Sequence, residues 1–148
     1  MSGMTGTAGG AGELPYGLYV NATTVSTMTD YPDVTASLRE VTGGTELEIE
    51  GTVTNAAGTQ GYLRIQLGSN PVPGTHPCSE SVFVTTLQLC CPPVYDSRNE
   101  PIDPDCSVTL REVGSAPGTD VAGTFSAVTH DENGGRMFLR DGRFRIRL

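Results

Sequence analysis

An all-β domain, an antiparallel β-sandwich or flattened barrel of about eight to nine strands with a disulfide-closed loop, is the fold this sequence predicts, and three observations carry it. The C-terminal quarter alternates apolar and polar residues, through Gly123-Thr-Phe-Ser-Ala-Val128 and then Arg136-Met-Phe-Leu-Arg-Asp-Gly-Arg-Phe-Arg-Ile-Arg-Leu148. This is the period-two signature of a half-buried strand, and Asn133-Gly134 and Asp141-Gly142 punctuate it with hairpin chemistry. The 148 residues include 19 Gly and 10 Pro but only 6% aromatics and no Trp, a balance suited to many short strands joined by many turns. No window keeps i, i+3, i+4 apolar spacing over a dozen residues, so helix content is expected to be small.

The chain is long enough for one buried core and fits one domain. Residues 1–13 are small and Gly-rich and read as a flexible N-terminal arm, leaving 14–148 as a single β-domain. Strands are predicted at about 18–27, 34–41, 45–54, 61–67, 82–89, 107–113, 121–130, 136–140 and 143–148. Gly43-Gly44 and Ala57-Gly58 supply turns between them. A spacing near ten residues per strand, with no repeat of 20–50 residues, favours a sandwich or squashed barrel over a propeller or solenoid. Phe125, Leu139, Phe144 and Ile146 are the expected core of the last strands.

Several of these segments also resemble a known group. Val34-Thr-Ala-Ser-Leu, Thr45-Glu-Leu-Glu-Ile-Glu-Gly-Thr, Gly61-Tyr-Leu-Arg-Ile-Gln-Leu, Pro73-Gly-Thr-His and Cys106-Ser-Val-Thr-Leu-Arg-Glu-Val precede Val121-Ala-Gly-Thr-Phe-Ser-Ala and Leu139-Arg-Asp-Gly-Arg-Phe-Arg-Ile. In that order they resemble uncharacterised β-rich domains of bacterial surface lipoproteins, which end in a G-T-F-S … T-N-G-x-F-x-V pattern. The resemblance covers about residues 18–148 and implies a secreted or cell-surface β-domain. It implies no catalytic residue. The chain departs from the pattern in lacking an N-terminal lipid-attachment Cys and in carrying a Cys-rich insertion at 78–106, so the lipid anchor is left open. Residues 1–13 have no charged n-region followed by an apolar h-region, and no run reaches transmembrane length, so export would need a removed signal or another route.

The net charge of −8 repels phosphate backbones, so nucleic acid is not an expected partner. All nine basic residues are Arg, and five of them fall in the last thirteen positions, leaving that tail at +4 and the rest of the chain at −12. On a strand Arg143, Arg145 and Arg147 share one face while Phe144, Ile146 and Leu148 share the other. Glu46, Glu48 and Glu50 alternate with Leu47 and Ile49 in the same way. The two stripes are either separate solvated faces or a cross-strand ion ladder, within the domain or between subunits.

Cys78, Cys90, Cys91 and Cys106 point to an oxidising compartment, because adjacent Cys90-Cys91 lacks the short spacing of a zinc knuckle. The in-phase residues of the flanking strands place Cys91 and Cys106 on the core face. A Cys91–Cys106 bridge is therefore expected to close the acidic, Pro-rich loop 92–105. Cys78 with Cys90 is the remaining pair, and a straight strand at 82–89 would hold them too far apart, so either that strand breaks or the pairing differs.

Catalytic constellations are scarce. Ser126, His130 and Asp131 can be written as a triad but lack a nucleophile elbow, and both His76 and His130 read as surface residues beside turns. Asp96, Glu100, Asp103 and Asp105 could hold Ca2+ but do not follow the EF-hand pattern, so solvated acid is favoured. Asn21-Ala-Thr23 is a glycosylation sequon only in a eukaryotic secretory host. No cofactor, metal or catalytic activity is expected. The expected function is that of a non-catalytic, secreted or surface-displayed bacterial β-domain with a structural role or a protein or glycan partner. The alternative is a self-assembling extracellular subunit, in which Tyr16, Leu18 and Val20 add as a strand to a neighbour's sheet edge.

Overall fold

In the computed structural model the residues described are 15–22, 29–54, 60–68, 71–88, 94–99, 102–133 and 135–148. They form eleven strands and no helix: β1 (Gly17–Ala22), β2 (Thr29–Asp30), β3 (Asp33–Val41), β4 (Gly44–Thr54), β5 (Gln60–Leu67), β6 (Gly74–Pro77), β7 (Val82–Gln88), β8 (Val94–Asp96), β9 (Ser107–Val113), β10 (Asp120–His130) and β11 (Arg136–Arg147). The arm at 1–13 lies outside the described residues, as does the turn at Ala57-Gly58.

All pairings are antiparallel and run in the order β2-β1-β11-β10-β8-β7-β5-β4-β3, with β9 and then β6 branching from β10, so the sheet is nearly closed into a barrel. Closure depends on one bent segment. Thr29 and Asp30 pair with Val20 and Tyr19, and the Tyr31 N–H donates to the Leu18 carbonyl at 3.0 Å. After Pro32, which has no N–H to donate, the chain turns away and Asp33 begins a nine-residue register with β4. The same segment thus serves β1 at one end and β4 at the other. Between β3 and β4, Gly43 takes a φ of 95° in a two-residue turn, a conformation that L side chains resist.

The inward face of every long strand contributes to one core, with Leu18, Leu47, Ile49, Leu63, Ile65, Leu67, Val84, Val108, Val121 and Phe144 fully enclosed. Phe125, Leu139 and Ile146 join them as the sequence predicted. At the start of β7 the edge is satisfied by serines rather than by a strand. The Val84 N–H donates to Ser97 Oγ at 3.0 Å and the Val82 N–H to Ser79 Oγ at 3.2 Å, which blunts an edge that could otherwise template another chain.

Three features differ from the sequence expectation. Asp141-Gly142 is not a turn between two strands but a bulge inside the single strand β11. Phe125 pairs with Gly142 and Ala127 with Leu139, so two residues of β11 oppose one of β10, and Asp141 sits at a φ of 55°. Leu139 and Phe144 are five apart and would face opposite sides of an uninterrupted strand; the extra residue brings both inward and sends Arg143, Arg145 and Arg147 outward. Short strands β2, β6 and β8 are additional, because two to four residues carry no readable periodicity. Finally, Cys106 is bridged to Cys78, with Cα atoms 5.3 Å apart, and not to Cys91. The reason is β6: Pro77 pairs with Ser107, and the Cys78 N–H donates to the Cys106 carbonyl at 3.0 Å, so the bridge continues the ladder by one rung. Cys90 and Cys91 lie outside the described residues.

Candidate functional site

Among the described residues the inward side chains of the strands pack into one core, and the polar chemistry that can meet a partner lies on the outer surface. Its densest part is the outer face of β11 with β1 and β10. Arg143 lies across from Tyr19 on β1 and its guanidinium stands 5.1 Å from the ring centre. Arg145 and Arg147 flank Tyr16 at 5.3 and 5.2 Å, and Arg136 and Arg140 flank Phe138 at 5.6 and 5.4 Å. The aromatic rings hold these cations by their quadrupoles, the Arg-on-aromatic geometry favoured at exposed sites.

Two of the three stripe arginines are neutralised within the chain. Arg145 reaches Glu112 and Asp120, both at 2.8 Å, and Arg147 reaches Asp120 at 3.3 Å while also bonding the Tyr16 hydroxyl. That hydroxyl in turn donates to Asp120 at 2.8 Å. Burial by itself would raise the Asp120 pKa, but the Tyr16 and Arg147 hydrogen bonds and the charges of Arg145 and Arg147 outweigh it and hold the carboxyl below its usual range. Arg143 has no ion pair among the described residues, and its Nε is shielded from solvent without a hydrogen-bond partner.

The acidic stripe does not meet the basic one. Glu46 pairs with Arg39 on β3, and Arg64 on β5 reaches Glu48 at 3.2 Å and Glu50 at 3.5 Å. A cross-strand ion ladder does exist, but β4 lies between β3 and β5 in the sheet, so those strands supply its cations. The Arg39 hydrogen bond lowers the Glu46 pKa, whereas burial, together with neighbouring Glu50, raises that of Glu48. Leu18 and Val20 are also placed differently from the assembly expectation. They are buried in their own chain's core, and Tyr16, though half exposed, is committed to Asp120 and Arg147.

A second polar cluster sits where β8 meets β7 and β10. Asp96 accepts from Arg98 Nη2 at 2.7 Å, from the Arg98 N–H at 2.8 Å and from Thr85 Oγ1 at 3.1 Å. The Arg98 guanidinium covers the Phe83 ring at 3.6 Å. His130 is not on the surface: it is 6% exposed, its Nε2 has no hydrogen-bond partner, and its carbonyl accepts from Asn99 Nδ2 at 2.6 Å. It forms no triad. Ser126 Oγ donates to the Asp105 carbonyl, and the Asp131 carboxylate accepts the N–H groups of Asn133 and Gly135. His76 Nε2 is tied to the Val72 carbonyl at 2.7 Å. Among the described residues no three His, Cys, Asp or Glu side chains group as metal ligands, and Asp96 is committed to Arg98.

These ion pairs predict an acid response. Burial also acts to raise the Asp96 pKa, but the Arg98 bonds and charge, with Thr85, depress it overall. Groups with depressed folded pKa values contribute stability that is complete above the unfolded carboxylate value near 4 and is lost as pH falls through the folded value. Glu48, with its raised pKa, works in the opposite direction. Urea midpoints are therefore expected to hold from pH 7 to 5 and to fall below about pH 4, with a shallower fall in an Asp96→Asn, Asp120→Asn double variant. A midpoint unchanged between pH 5 and 3 would contradict the assignment.

No helix among the described residues is long and apolar enough to cross a membrane. Comparison with protein-family models, with curated proteins and with solved structures finds no match.

Proposed function

We propose that this chain is a non-catalytic, secreted or surface-displayed bacterial β-domain that acts as a binding or structural module through its outer face. The observation that carries the reading is the contrast between the apolar core shared by the described strands and the arginine–aromatic surface of β11. Among the described residues Phe144, Leu18 and Ile65 are fully buried in that core, and the candidate catalytic side chains are dispersed or committed elsewhere. The Cys78–Cys106 bridge supports an oxidising compartment, where disulfides form and persist. The sequence resemblance to surface lipoprotein domains points the same way. The self-assembling alternative is less well supported, since the apolar residues it would lend to a neighbour already complete this chain's own core.

Protease shaving of intact cells of the source bacterium, with thiol labelling before lysis, tests this. The expected result is surface-accessible protein with Cys78 and Cys106 unreactive. Protein confined to the cytoplasm with both thiols free would overturn the reading, and soluble oligomers lost on mutation of Tyr16 would favour assembly instead.

A further inference from the structure

We infer that the shallow groove across the outer faces of β9, β10 and β11 is a binding site for an acidic saccharide, a sugar chain bearing carboxylates, with Arg143 as its anchoring cation. This rests on the module reading above and names its ligand class. The groove has a volume of about 490 Å3 and is lined by Ser107, Thr109, Thr124, Ser126, Asp141 and Arg143. Strand register builds it. Thr75, Thr109, Thr124, Arg143 and Tyr19 are successive cross-strand partners over five strands, and Ser107 pairs with Ser126 in the adjacent row. Four hydroxyls therefore form a two-by-two array with strand spacing near 4.8 Å and about 6.7 Å along each strand. Two corners of the array are tied down, by the Thr75–Thr109 hydroxyl contact at 3.0 Å and by the Ser126 bond to the Asp105 carbonyl at 3.2 Å.

Hydroxyls that both donate and accept match the polyol surface of a sugar, whose own hydroxyls do the same. Charge narrows the class. Arg145 and Arg147 have carboxylates at 2.8–3.3 Å, but Arg143 lines the groove with none among the described residues. Tyr19 lies against the guanidinium at 5.1 Å and the Nε is shielded from solvent, so a carboxylate in the groove would be met by the two terminal Nη atoms, in the bidentate geometry Arg favours. The bulge supplies the rest. Ser126 faces the two bulge residues of β11, Arg140 and Asp141, and Asp141 lines the same groove as an acceptor for sugar hydroxyls. The groove is open and the body is negative overall, so affinity should be modest and depend on contact rather than on long-range attraction.

The test is titration of the full oxidised chain with a galacturonic acid tetramer, followed by amide and arginine Nε NMR. The expected result is saturable shifts confined to Ser107, Thr109, Thr124, Ser126 and Arg143, with affinity at least tenfold weaker in Arg143→Gln and in the near-isosteric Thr124→Val. The second variant keeps the test decisive should the first fold poorly. Absence of groove shifts up to about 10 mM tetramer, or unchanged affinity in both variants, would overturn the site. Equal binding of a neutral maltotetraose would refute the carboxylate anchor, and equal binding of tetraglutamate would make it an acidic-peptide groove. Mass spectrometry of the recovered tetramer separates the two readings. Cleavage would sink the non-catalytic module while leaving the groove, and no binding to a surface-exposed protein would sink the groove alone.

Discussion

Phe144→Ala is expected to lower the unfolding free energy by about 3–5 kcal/mol, measured from the shift in urea midpoint at constant slope. Phe144 is fully enclosed and its ring centre lies 6.3 Å from that of Phe125. Both rings occupy space that glycines keep open. Phe144 pairs with Gly123 and Phe125 with Gly142, and a Cβ on either glycine would come within 2.9 Å of the ring opposite. Two aromatic–glycine pairs set side by side in reversed order fill the centre of the β10–β11 ribbon. Truncating one leaves a void among close-packed core side chains that relax into it only in part. A loss below about 1 kcal/mol would mean that the ring does not occupy the core and that the bulge phase is wrong.

That bulge also marks where the sequence stops being legible. The long alternating strands, and with them Phe125, Leu139, Phe144 and Ile146, are readable because the hydrophobic face repeats every second residue over seven or more positions. Asp141-Gly142 carries the same local chemistry in a hairpin turn and in a bulge. What separates the two is whether the chain beyond it continues along β10, a long-range pairing that no local pattern encodes. The charge stripes fail in a related way. Alternation puts Glu46, Glu48 and Glu50 on one face, but their partners Arg39 and Arg64 follow from strand order. For Arg143 the stripe was visible, whereas the hydroxyls that make it part of a groove come from β9 and β10 and have no linear signature. His130 borders a turn and so reads as a surface residue, but it is buried and pairs with Asp96 of β8, a register that no local pattern encodes.

Replacing the bridge with Cys78→Ala and Cys106→Ala together is expected to destabilise the domain by about 3–4 kcal/mol, the loop-closure term for residues 28 apart in sequence. The effect should be concentrated rather than uniform. β6 is a four-residue strand whose one partner among the described residues is β9, it ends in Pro77, and its residues are largely exposed, so little apolar burial holds it once the covalent link is gone. Hydrogen exchange is expected to accelerate first at Thr75 and His76 and along β9, while β4, β5 and β11 keep their protection until global unfolding. Because Thr75 steadies Thr109 at the groove wall, saccharide affinity should weaken in the same variant even where the fold persists. Non-reducing peptide mapping supplies the direct check. A Cys78–Cys106 cross-link with loss of stability on its removal supports this account, whereas a Cys91–Cys106 link would restore the pairing that strand phase alone predicts and would detach β6 from the place the ladder gives it.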